Sequence, residues 1–134
     1  MKRWLDVATV GLTALLLFLF AALALRGLVD PQSASSRFGT AVSDPAGALF
    51  FRVYLSRNLV IAVTGAVLLL LRQWRALAIL LSIAAALPVF DMSVLSLNGV
   101  TPPVFHPLAL VLLLVTALLL WRRALGRDLK DSAA

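Results

Sequence analysis

A chain of 134 residues with 62% apolar residues and a net charge of +6 has the length of one domain but is too hydrophobic for a soluble one, where apolar usage is about 45–50%. It contains no cysteine, which excludes disulfides, a thiol nucleophile and sulfur-ligated metal. The basic residues sit at the ends of hydrophobic runs rather than along one solvated face, so anionic lipid head groups, not nucleic acid, are the expected counter-charge.

Lys2 and Arg3 precede an uncharged run over residues 7–25. The run is longer than the roughly 7–15 apolar residues of a signal peptide, so a retained first span over residues 6–27 is expected, although Ala22-Leu23-Ala24 resembles a cleavage site. A polar connection follows. In it, Asp30-Pro31 and Gly39 have the signature of a short helix, with Asp30 capping free N–H groups, Pro31 at the first position and Gly39 closing the end. Phe38 is expected to turn toward the membrane surface. Asp44-Pro45 is a second start signal, and it introduces a span over residues 48–71.

The tight connection Arg72-Gln73-Trp74-Arg75 forces the next helix to run antiparallel. That third span covers residues 75–97 and is interrupted by Pro88. A loop over residues 98–105 leads to His106-Pro107, and the fourth span covers residues 106–122, ending at Trp121-Arg122-Arg123. The fold class is therefore an all-α membrane protein. It is a single domain over residues 1–134, an antiparallel bundle of four transmembrane helices with a short interfacial helix in the first long loop.

Four spans place Lys2, Arg3, Arg72, Arg75, Arg122, Arg123, Arg127 and Lys130 on one side, eight of the twelve basic residues. By the positive-inside rule that side, with both termini, is cytoplasmic in a cell membrane. Trp4, Trp74 and Trp121 fall at the same boundaries, where indoles prefer to sit. The two long loops are then outside.

Polar residues within the spans are the candidate site. Arg57 lies 15 residues from Arg72, Asp91 16 from Arg75 and His106 16 from Arg122, which at about 1.5 Å per residue puts all three roughly 22–24 Å from the inner face. Arg52 is higher, at the outer interface. A charge within hydrocarbon is costly; pairing Arg57 with Asp91 would remove most of that cost, His106 could hydrogen-bond to either, and Asn58 and Ser93 could extend the network. Whether Arg57 meets Asp91 decides if the second helix is the wall of a pocket or an ordinary span with a basic rim. Pro88 frees the carbonyl of Ala84 and bends the helix just before Asp91, and freed backbone groups face protein or a water-filled cavity. Three readings stand side by side. The residues only orient and pack the bundle; or Arg52, Arg57, Asn58, Asp91 and His106 line a ligand pocket; or Asp91 or His106 is the base of an acid/base enzyme, with Arg57 stabilising negative charge. One histidine and no cysteine make a metal site or a haem unexpected, and no other cofactor is indicated.

The order of features resembles the DUF4267 family of small four-helix integral membrane proteins, over residues 28–120. The carriers are Asp30-Pro31 with Gly39, the run Phe51-Arg52-Val53-Tyr54-Leu55-Ser56-Arg57-Asn58-Leu59, Gly65, Arg75-Ala76, Asp91 and His106. Family members look like Gly-x-Arg-Asp at the position of Leu55 to Asn58. Here Ser56-Arg57-Asn58 replaces that carboxylate by an amide, which shifts the pairing of the arginine to Asp91. The resemblance implies the four-helix topology and no established activity.

The expected function is binding of a lipid or lipophilic small molecule in a polar pocket of the outer leaflet. The alternatives are a membrane-embedded, isomerase-like acid/base enzyme on an apolar substrate and a structural or accessory subunit of a membrane complex. The expected partners are membrane lipids, a lipophilic small molecule and a second copy or a membrane-complex subunit, with no nucleic acid.

Overall fold

The computed structural model describes residues 2–131, with side chains over residues 4–126. Six helices follow one another: α1 Lys2–Val29, α2 Pro31–Phe38, α3 Pro45–Leu70, α4 Trp74–Ala84, α5 Ala86–Leu97 and α6 Phe105–Asp131. α4 and α5 form one broken span, so four antiparallel segments are long and apolar enough to cross a membrane. The ends of the described chain and the α3–α4 turn lie at one end of the bundle, the terminal end. The connection carrying α2 and the α5–α6 loop lie at the other, the loop end.

The start and stop signals act as read. Asp30 Oδ1 accepts from Ser33 N at 3.1 Å, and Asp44 Oδ1 accepts from Gly47 N at 2.8 Å. Gly39 closes α2 at φ +116°, a left-handed conformation that only glycine adopts without strain. α6 corrects one expectation, since it continues past Trp121-Arg122-Arg123 to Asp131. The basic residues are not a helix stop, and neither a proline nor a left-handed glycine interrupts Ala124 to Asp131.

The core sits at the terminal end. Leu77, Ala78 and Leu81 of α4 pack on Leu113, Ala117 and Leu120 of α6, with Leu16 and Leu17 of α1 against them. Lipid tails are as apolar as leucine, so close packing rather than water exclusion holds such helices together. Buried hydroxyls return to their own helices: Thr13 donates to the Thr9 carbonyl at 2.7 Å and Thr116 to the Leu112 carbonyl at 2.6 Å, which satisfies them without water. Trp74 begins the third membrane-length segment, and its ring packs into the bundle. It is 7% exposed, beneath the Arg123 guanidinium at 4.1 Å, and Arg123 also donates to the Asp6 carbonyl at 2.8 Å, tying α6 to α1.

α3 packs along α1. Its inner face is Phe51, Tyr54, Leu55, Asn58, Ala62 and Gly65, at the i, i+3, i+4, i+7 spacing of one helical side. A Cβ at Gly65 would lie 2.5 Å from Leu17 Cδ2. Gly65→Val is therefore expected to destabilise the α1–α3 pair by about 1–3 kcal/mol, measured as the shift of unfolding midpoint in detergent; an unshifted midpoint would show that Leu17 turns aside freely.

The break in the third span shapes the loop end. Pro88 has no N–H to give the Ala84 carbonyl, and the helix breaks at Ala85. On the terminal side of the break α4 lies against both α3 and α6. Beyond it α5 stays on α6 and parts from α3. The space that opens there is roofed by α2.

Candidate functional site

That space is a cavity of about 330 Å³, at the small end of the roughly 300–1,000 Å³ of small-molecule sites. Chain direction fixes its depth. Phe20, Leu87, Pro88 and Ala109 form the floor, while Arg26 of α1 and Arg37 and Phe38 of α2 line the mouth at the loop end. Between them Leu23, Ala24 and Leu55 provide apolar wall, and Tyr54, Asn58, Asp91 and His106 provide the polar groups.

Asp91 is the centre of the polar wall. Tyr54 Oη donates to its Oδ2 at 3.2 Å, bridging α3 and α5 where their backbones part. His106 Nδ1 lies 3.8 Å from the same oxygen. Asp91 Oδ1 has no donor among the described residues. His106 is 2% exposed, in the first turn of α6, and its Nε2 meets the Phe38 carbonyl at 3.2 Å. A carbonyl only accepts, so Nε2 carries the proton in that contact and Nδ1 is the nitrogen presented to Asp91. At 3.8 Å the two groups are close but beyond direct hydrogen-bond distance.

An aromatic cluster fixes this arrangement. The Phe38 ring stands edge-on to His106 at 4.8 Å and to Tyr54 at 5.6 Å, with Phe51 at 6.0 Å, distances at which such rings attract. Phe38 therefore turns into the protein, not toward the membrane surface. The αL stop at Gly39 and the Phe38 carbonyl held by His106 aim it inward.

The five residues expected from sequence divide. Asn58, Asp91 and His106 come together on the cavity. Arg52 does not line it: its Nε donates to the Leu28 carbonyl at 3.1 Å, satisfying the C-terminal end of α1. Arg57 does not meet Asp91 and makes no ion pair among the described residues; it is exposed on the far side of α3. Ser93 also turns away, donating to the Val89 carbonyl of its own helix. Sequence reasoning missed Tyr54, Phe38, Arg26 and Arg37. For Tyr54 the signal was present, because it shares the i, i+4 register of Asn58 on the inner face.

Comparison with curated proteins and with solved structures finds no match. A family model described as domain of unknown function (DUF4267) matches residues 10–120. The match starts 18 residues earlier than the resemblance read from sequence and takes in most of α1, which supplies Phe20, Leu23 and Ala24 to the cavity. Because that model covers most of the chain, reaching into all four membrane-length segments and including every residue of the polar wall, the chain belongs to the DUF4267 family.

Proposed function

We propose that the protein binds a lipophilic small molecule or a lipid in the cavity at the loop end. The observation that carries this reading is an apolar chamber of about 330 Å³ with a single polar wall, Tyr54, Asp91, His106 and Asn58. A chamber of that kind buries an apolar body and orients it through a few hydrogen bonds. Asp91 Oδ1, free of donors among the described residues, accepts from a hydroxyl or amide of the ligand. The basic residues at the terminal end support a cytoplasmic placement of that end in a cell membrane, with the cavity mouth outside.

Native mass spectrometry of the protein extracted with its surrounding lipid tests the reading. A discrete adduct of constant mass is expected on the parent protein, reduced at least tenfold in Asp91→Ala by loss of a charge-assisted hydrogen bond. An adduct pattern that only mirrors the bulk lipids would overturn it.

The Asp91–His106 contact favours a second reading, acid/base catalysis on the bound molecule. Asp91 or His106 Nδ1 is the base, and the Tyr54 hydroxyl, rather than Arg57, is the donor near developing negative charge. If the adduct is recovered chemically unchanged from parent and Asp91→Asn alike, binding alone is the function.

A further inference from the structure

The mouth of the cavity carries two cations that the polar wall does not use. Arg26 lies in the last turn of α1 and Arg37 in the last turn of α2, and both line the cavity. Cations at helix C-termini are ordinarily explained by the free carbonyls there. Here other donors take several of those carbonyls, and neither arginine side chain is among those donors. Arg52 Nε holds the Leu28 carbonyl of α1, while the Gly39 amide closes on Ser35 and His106 holds the Phe38 carbonyl of α2. Nor does a carboxylate neutralise either arginine among the described residues, whose ion pairs are Asp91–His106 and Asp6–Arg123. The neighbouring Asp30 spends its Oδ1 on the cap of α2.

Two guanidinium groups with no ion-pair partner among the described residues thus stand over a shaft that is apolar except for its one polar wall. From Arg26 to Phe20 on the floor is six residues, about 9 Å along α1. Resting on the reading that the cavity holds a lipophile, we propose that its occupant is a single-chain amphiphile with an anionic oxygen head, a carboxylate or a phosphate monoester, clamped by Arg26 and Arg37 with its chain in the shaft. Guanidinium groups match such heads with paired N–H donors. A cavity of about 330 Å³ is at the small end of ligand sites and suits a single chain.

Equilibrium binding of radiolabelled dodecanoic acid, dodecyl phosphate and dodecanol to the full chain in lipid nanodiscs tests the proposal, since the three probes share a tail and differ in the head. On the parent protein at least one of the two anions is expected to bind about tenfold or more tighter than the alcohol, by the strength of hydrogen bonds to charged groups. The ratio of the two anions tells a fatty-acid type of ligand from a phosphate ester. In the Arg26→Gln/Arg37→Gln double variant the preference over alcohol is expected to vanish while alcohol binding stays. Arg122→Gln, which removes one charge at the terminal end, controls for net charge and should keep the preference. Equal saturable binding of alcohol and anions to the parent, abolished by filling the cavity floor with Ala109→Trp, overturns the anionic head and leaves the lipophile reading standing. A preference that survives in the double variant overturns the assignment to these arginines. No saturable binding of any probe defeats both.

Discussion

His106→Ala is expected to lower stability by about 2–4 kcal/mol, the loss of a buried ring together with a buried hydrogen bond. The deletion strands two groups. The Phe38 carbonyl loses its only side-chain donor among the described residues, and Asp91 keeps Tyr54 alone. It also removes the ring that Phe38 meets at 4.8 Å. Because His106 joins α2 to α6, the damage should be local as well as global. Amide exchange of α2 is expected to rise by an order of magnitude or more, while α4 and the facing part of α6 respond only through the global term. His106→Gln, which keeps an N–H donor for the Phe38 carbonyl, should recover part of the protection. Uniform exchange in all helices of His106→Ala would show that α2 is held by its other contacts.

The second large effect is on binding. Ala109 stands on α6 at the cavity floor, and Ala109→Trp places an indole in space that is otherwise open. Retained lipophile is expected to fall at least about tenfold, because the new ring occupies the volume that an apolar tail needs. The unfolding midpoint should hold or rise, since filling a cavity gains contacts where overpacking a tight core would lose them. Leu118→Trp, on the exposed side of the same helix, is the control and should leave binding intact. Undiminished binding in Ala109→Trp would place the ligand elsewhere.

Much of this fold was legible in the residues, because each element has a local cause. Asp30-Pro31, Asp44-Pro45 and Gly39 set helix ends through hydrogen bonds a few residues away, and apolar length alone sets the spans. The candidate site was legible in one coordinate. Equal depth brought Asp91 and His106 together correctly, yet the same criterion joined Arg57 to them wrongly. Depth says nothing about direction around the axis. At about 100° per residue Arg57 points roughly 200° away from Leu55, and Leu55 is buried on the inner face. The run Phe51, Tyr54, Leu55, Asn58 contained that answer. Arg26 and Arg37 were not legible, since their place at the mouth depends on how α2 folds back over the bundle, a tertiary fact.

The broken third span also has a mechanical meaning. Its two rods, 11 and 12 residues long, are each about 16–18 Å and too short to cross hydrocarbon alone. They differ in how firmly they are seated: α4 buries Trp74, Leu77, Ala78, Leu81 and Ala84, whereas α5 buries Pro88 and Leu95. The joint at Ala85 therefore separates a deeply packed rod from a less packed one, and Asp91 sits on the latter. Beyond the joint, α5 is held by its packing on α6 and by the Tyr54–Asp91 bond. The half of the third span that contributes Asp91 to the chamber's polar wall is thus the less deeply packed one, and the other half belongs to the foundation of the bundle.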